Sequence, residues 1–204
     1  MEKVKQIGTF TTTEDKTYYF NGCDTCEAQC CKGANSVHIP IVLSEFEKVY
    51  ENFVIAFMIG SMGYVKACIL LNDGINSCRY LKDDRCGIYD IRPLGCQVYP
   101  LSPTIYNEAY VDTFCPSVSE KECGSELISH TKITHPSFQN DLFTRYQDEY
   151  LASHHHLMEC KTQGAFVPLV EIKNMPFFQY SGETSDQYMQ MHLQSLQNLK
   201  YIIE

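Results

Sequence analysis

The eleven cysteines are the residues of this 204-residue chain best able to do chemistry. Ten of them fall between Cys23 and Cys123, and Cys160 stands apart. The densest group is Cys23-x2-Cys26-x3-Cys30-Cys31. Two residues between cysteines let both thiolates turn inward on one tight loop, as in many zinc and iron–sulfur sites. Cys30 and Cys31 are neighbours, and in an extended chain their side chains diverge. Either one of them is no ligand, or the two serve different sites. A second set, Cys78, Cys86, Cys96 and Cys115, sits at turn signals: Asn76-Ser77, Gly87, Gly95 and Pro116. The eight suffice for two four-cysteine sites, or for one site with spare thiols. Cys68 lies in an apolar run and reads as packing, and Cys123 and Cys160 read as incidental.

Arg92 lies between these cysteines. Its guanidinium can neutralise a thiolate-rich site and lower thiolate pKa values, or pair locally with Asp90 or Asp84. His154-His155-His156 with Cys160 offers another metal-binding grouping, because His156 and Cys160 share a helix face. A solvated helix end is the preferred reading of that run. His38, His130, His135 and His192 stand alone and carry no signal. Walker A, Gly-x-Gly-x2-Gly and Gly-x-Ser-x-Gly patterns are absent, and no acid/base pair follows from spacing.

Composition narrows the setting. The net charge is -9 with no basic run, which argues against nucleic acid as a partner. The first thirteen residues hold no apolar run of signal-peptide length. The longest apolar stretch, 53–59, is too short to span a bilayer. A cytoplasmic chain, away from membranes and with a protein as its possible partner, is expected. Such a compartment keeps thiols reduced, so disulfides are set aside.

The elements that must position the cysteines follow from local pattern. The fold class expected is α+β: a small irregular cysteine-rich core with short hairpins, plus C-terminal helices. Ser44 to Glu47 spells a capping box. Phe46, Val49, Tyr50, Phe53, Val54 and Phe57 follow at helical spacing, with Gly60 and Gly63 ending that helix. Residues 65–71 read as a strand, and 79–89 as a hairpin turning at Lys82-Asp83-Asp84. A second hairpin is expected around Asn107-Glu108, with arms 104–106 and 110–114. A helix after Pro136 carries Phe138, Leu142, Tyr146 and Tyr150. Another begins at Ser185-Asp186 and carries Tyr188, Met191, Leu196, Leu199 and Ile203. Tyr146, Tyr150, Leu196 and Leu199 are expected to be buried. The expected division is a metal-binding region at 20–120 and a mainly helical region at 121–204 packed on it.

The cysteine run is followed in order by Cys86-Gly87-Ile88-Tyr89-Asp90-Ile91-Arg92-Pro93-Leu94-Gly95-Cys96 and then Val98-Tyr99-Pro100. This combination resembles the cysteine-cluster family of zinc- or iron-chelating domains, a domain type that flagellin lysine N-methylases also carry. The resemblance covers 20–116. It implies that Cys23, Cys26, Cys30, Cys31, Cys78, Cys86, Cys96 and Cys115 are the ligand set. Gln97 departs from it, since family members usually have arginine there.

Four thiolates suit zinc or an iron–sulfur cluster alike. Cys115-Pro116 echoes the Cys-Pro that closes bacterial cluster motifs, and Cys26 lacks the following glycine of zinc knuckles. The radical-SAM spacing is absent, because position 33 is Gly33. The balance leans to iron–sulfur. The expected function is a metal-binding electron-transfer or accessory module. The alternatives are a relative of protein-lysine N-methyltransferases, which rests on domain kinship alone, and a structural zinc scaffold for a partner.

Overall fold

The structure is a computed structural model describing residues 6–7, 9–33, 35–60, 63–103, 108–138, 142–182 and 185–203. The hairpin β1 (Gln6–Ile7) and β2 (Phe10–Thr12) leads to β3 (Thr17–Phe20). Two 3-10 turns, Cys23–Thr25 and Gln29–Cys31, carry the dense cysteine group. After β4 (His38–Pro40) come a 3-10 turn, Leu43–Glu45, and the short helix α1 (Phe46–Val49). The hairpin β5 (Val54–Ile59) and β6 (Val65–Leu70) follows, then a tight one, β7 (Leu81–Lys82) and β8 (Arg85–Cys86). Next are a 3-10 turn at Tyr89–Ile91, helix α2 (Leu94–Val98), and strands β9 (Leu101–Pro103) and β10 (Ala109–Asp112). Strands β11 (Val118–Ser119), β12 (Ser125–Ser129) and β13 (Lys132–Ile133) precede the long helix α3 (Leu142–Gln163). A hairpin, β14 (Ala165–Ile172) and β15 (Met175–Ser181), leads to α4 (Gln187–Ser195), a 3-10 turn at Leu196–Leu199 and α5 (Lys200–Ile203).

The α+β class holds. Strands β14-β15-β5-β6-β4 form an antiparallel five-stranded sheet, β11-β3-β12-β13 and β1-β2-β10-β9 form two smaller sheets, and β7 pairs β8. Helix α3 lies against β6, and α4 against β5 and β15. Phe46, Ile55, Phe57, Val65 and Ile69 form the main core and are wholly buried. Burying each of the larger ones contributes about 1.5–3 kcal/mol. A second core gathers Tyr18, Leu101, Leu127, Ile128, Phe143 and Tyr146. Among the described residues, no helix is long and apolar enough to cross a membrane.

Several local expectations need correction. The helix read from Phe46 to Phe57 stops at Val49, and Val54–Ile59 is a strand. Val54 to Phe57 are buried throughout, because β5 is paired on both edges and covered on both faces. Such a strand shows no alternation, so its apolar run imitates a buried helix. The capping box also shifts. Glu45, not Glu47, reaches back, accepting from the Val42 amide (3.3 Å), while Ser44 donates to Glu149 on α3. The strand near 65–71 and the hairpin turning at Asp83-Asp84 stand as expected, both aspartates having left-handed φ (47° and 56°). The hairpin after Pro100 has arms β9 and β10; the arm expected at 104–106 lies outside the described residues.

The region beyond residue 120 also holds the β14–β15 hairpin, unforeseen in its sequence. Because β15 joins β5 at Phe178–Phe57, the main sheet draws strands from both sides of residue 120. Tyr146 is buried, whereas Tyr150, Leu196 and Leu199 are half-buried and Ile203 is exposed. The inner stripe of the last helices is instead Met189, His192, Ser195, Asn198 and Ile202. Its polar members bond backbone. The Tyr180 amide donates to His192 Nε2 (3.1 Å), leaving Nδ1–H to donate to Ile55 O (2.9 Å). Ser195 Oγ accepts from the Ile55 amide (2.9 Å), and Asn198 donates to Tyr50 O and Phe53 O.

Candidate metal centre

The dense cysteine group is folded by short-range backbone bonds. Cys26 N–H donates to Cys23 O, and Cys31 N–H to Ala28 O. Between them Glu27 and Ala28 take left-handed φ values of 49° and 50°, which reverses the chain so that Cys30 and Cys31 enter the second turn. A 3-10 turn has three residues per revolution, so adjacent side chains point about 120° apart. Even so, the Cys30 and Cys31 thiols hydrogen-bond each other. Gly33 then passes close to the 70s loop: a Cβ there would meet Asn76 O at 2.1 Å. That approach lets the Cys78 amide donate to Cys31 O (2.7 Å).

The second set is held by longer-range structure. Cys78 O accepts from Leu81 N–H (2.8 Å), and Leu81 pairs across the tight hairpin with Cys86. Cys96 rides on α2. That helix starts where the Leu94 amide meets the buried Glu45 carboxylate (2.6 Å). Gly95 lets it sit on β4, since a Cβ would stand 2.3 Å from Pro40 O. Cys115 is fixed beside the first loop: Ser117 Oγ donates to Gly22 O (2.7 Å), and Ser117 O accepts from Asn21 N–H (3.0 Å).

These elements enclose a cavity of about 440 Å³. Seven of the eight predicted cysteines line it: Cys23, Cys26, Cys30, Cys31, Cys78, Cys86 and Cys96. Cys115 is not a wall residue, but the ionisation of its thiol is opposed electrostatically by Cys26, Cys23 and Asp112. Ile39, Phe53, Ile69, Leu71 and Ile88 make the apolar walls. All eleven cysteines are free thiols. Cys68 is fully buried in β6, as packing, and Cys123 is half-buried.

Burial among other thiols makes ionisation hard. It raises Cys23, Cys86 and Cys96, and pushes Cys78 and Cys115 up to about 11. Cys30, bonded to the Cys31 thiol and buried, is raised further, while Cys31 is lowered by that bond and by Arg92. Arg92 acts in the lowering direction on Cys23, Cys31, Cys86 and Cys96. Its Nε and Nη1 are buried without a hydrogen-bond partner, and its guanidinium lies 3.5 Å from the Tyr89 ring centroid. The local pairing with Asp84 does not form, since Asp84 pairs with Lys32 (3.0 Å). Gln97 donates to Arg92 O (2.6 Å) and so fixes the backbone of that segment. A thiol-rich cavity with an orphaned guanidinium fits an anionic metal–thiolate group.

The histidine run is less solvated than expected. His155 is exposed, but His154 Nδ1 is buried and unpartnered, and His156 Nε2 meets Asp186 Oδ2 at 2.6 Å. His156, the buried Cys160 and Asp186 place their ligand atoms within 4.8 Å of one another. Asp186 also caps α4 through Oδ1, which receives the Tyr188 and Met189 amides. The wall residues Tyr89, Ile88 and Tyr99 escaped the sequence reading; their position directly between the cysteine signals was the available clue.

No curated protein and no solved structure matches the chain. The profile of the CxxCxxCC family matches residues 22–124, half of the chain. The family name spaces its second and third cysteines by two residues. Here three intervene, in the segment where Glu27 and Ala28 are left-handed. The matched residues run from the loop of Cys23 past Cys115 and contain every cysteine of the cavity, so the chain belongs to this family, described as "Putative zinc- or iron-chelating domain".

Proposed function

We propose that the chain is an iron–sulfur protein, an electron-transfer or accessory module whose metal is held by the thiolates of the cysteine cavity. The observation that carries this reading is size. Four thiolates on one zinc ion lie 2.3 Å from the metal and hence about 3.8 Å from each other. Seven cysteines line one space of about 440 Å³, wider than a single tetrahedral ion fills. A cluster interposes iron and sulfide between its thiolates and suits that wider spacing. Arg92 supports a metal–thiolate group of either kind, because four thiolates around zinc or a cluster leave a net negative charge and the guanidinium has unused donors.

Eleven free thiols suit a reducing compartment such as the cytoplasm. Tyr89 and Ile91 are 50% and 76% exposed beside Arg92, an apolar rim suited to a protein partner. The test is anaerobic purification with iron, sulfide and zinc analysis and an absorption spectrum. Iron and acid-labile sulfide in equal amounts, with a charge-transfer band that bleaches on reduction, are expected. Stoichiometric zinc without sulfide would instead establish the zinc scaffold.

A further inference from the structure

We propose that His156, Cys160 and Asp186 form a separate zinc site with an exchangeable fourth position, bridging the end of α3 and the start of α4. The site stands apart from the cysteine cavity. None of the three residues lines that cavity, and all three lie outside the matched residues 22–124.

The geometry comes from two helices. His156 and Cys160 are four apart on α3 and so share a face. Asp186 approaches from the residue that opens α4. The imidazole nitrogen, the thiol sulfur and a carboxylate oxygen lie within 4.8 Å of one another, and His156 Nε2 is 2.6 Å from Asp186 Oδ2. Around a tetrahedral zinc ion such donors stand about 3.4–3.6 Å apart. Movements of about 1 Å, within reach of side-chain torsions, convert one arrangement into the other.

Two of the ligands are held in aim by neighbours that do not themselves offer a ligand. Asp186 Oδ1 accepts from the Tyr188 and Met189 amides (2.8 and 3.0 Å), which leaves Oδ2 turned to His156. The His156 ring meets Tyr188 edge to face (5.5 Å between centroids), and Tyr188 packs in the same way on the buried Phe46. Such outer contacts fix the orientation of metal ligands in advance. Cys160 is 4% exposed and belongs to the main core.

The donor set selects the ion. Calcium and magnesium take oxygen ligands, whereas an imidazole, a thiolate and one carboxylate suit zinc. Binding releases the thiol proton to water. The thiolate and the carboxylate then balance the charge of a divalent ion, which lets it sit against a thiol withdrawn from solvent. The His156 and Asp186 side chains are 33% and 25% exposed, so the fourth position opens to water. The ion ties the last turns of α3 to the first turn of α4, the helix whose inner stripe bonds the backbone of β5 and β15.

The test uses the full-length chain purified anaerobically, its metal content measured first. Zinc is added in steps and the bound metal counted by native mass spectrometry, side by side for wild type and His156→Gln. The glutamine amide can still donate to Asp186 but is a poor zinc ligand. Wild type should take up one zinc more than the variant, and zinc should raise the melting temperature of wild type alone. In NMR spectra of the histidine ring nitrogens, His156 of the wild type should shift with that added zinc. Asp186→Asn, which keeps an acceptor oxygen for the α4 cap, takes the place of His156→Gln if that chain does not fold. Equal uptake by wild type and variant, or a His156 ring that does not respond to zinc, overturns the proposal and leaves a capping hydrogen bond only. Wild type and variant share the same cysteine cavity, so the difference between them is read independently of what that cavity holds.

Discussion

Arg92 and His192 hold buried nitrogens for opposite reasons, and each yields a measurable consequence. Arg92 keeps two buried nitrogens without partners beside the thiols. A metal–thiolate group would satisfy them through charge-assisted hydrogen bonds, each contributing about 1.5–3 kcal/mol. Arg92→Gln is thus expected to weaken metal retention against a chelator by about tenfold or more. Unchanged competition curves would show that the guanidinium serves its stacking on Tyr89 alone. His192 is wholly buried and neutral, its pKa lowered by burial from 6.5 to about 4. Between these values the unfolded chain binds a proton that the native chain refuses. Stability present above pH 6.5 is therefore lost as pH falls towards 4, on the order of 3 kcal/mol from this residue. His38, lowered to about 3 by burial, acts in the same direction. His192→Gln should narrow the gap between urea midpoints at pH 7 and pH 5, and an identical gap would refute this assignment.

At the scale of elements, α2 and α4 are placed by contacts that their own sequences hardly advertise. Helix α2 has five residues and owes its position to Glu45 and to Gly95 against Pro40 O. Gly95→Ala must push the helix and Cys96 away from β4. A stability loss of about 1–3 kcal/mol, the overpacking scale, is expected, with reduced metal content. Urea midpoint and metal analysis on the same preparation check both. Helix α4 supplies side-chain donors and acceptors to β5, which accounts for its polar inner stripe. Ser195→Ala would strand the buried Ile55 amide and cost about 1–3 kcal/mol, readable as a lower urea midpoint. The helical spacing that pointed to Leu196 and Leu199 missed this, because it treats polar residues as outward-facing.

At the scale of the molecule, the sheet β14-β15-β5-β6-β4 joins both parts of the chain. Truncation after Pro116 would strip β15, α3 and α4 from the main core and leave Ile55 without its partners. The expected product is insoluble or unfolded, and a soluble fragment of unchanged stability would contradict that dependence. The metal adds a second tie. Cys23, Cys30, Cys78, Cys86, Cys96 and Cys115 resist ionising, and a bound metal removes that cost while joining loops far apart in sequence; structural zinc contributes about 10–16 kcal/mol in small motifs. Hydrogen exchange on metal-loaded and metal-free chain should show protection lost around 23–31 and 78–96, with α3 largely retained. Equal protection in both forms would make the centre redox or catalytic rather than structural.

The cysteine ligand candidates, the α+β class, the Asp83-Asp84 hairpin and the start of α4 at Asp186 were legible in the sequence because each depends on residue type and local spacing. The nature of residues 54–59 was not, since a strand buried on both faces has lost the alternation that would identify it. Nor was the β14–β15 hairpin, whose role is set by pairing with β5 over a hundred residues earlier. The sequence left open whether Cys30 and Cys31 could both be used. Only the tertiary structure places both at one cavity with their thiols bonded to each other, because their positions depend on the left-handed Glu27–Ala28 turn and on the Cys78 amide docking at Cys31 O. Likewise the sequence left Arg92 open between Asp84 or Asp90 and the thiols; the fold pairs Asp84 with Lys32 and sets the Arg92 guanidinium over Tyr89 in the wall of the cysteine cavity. Spacing announces which atoms can bind a metal; the long-range packing of loops, helix and sheet determines which of them meet.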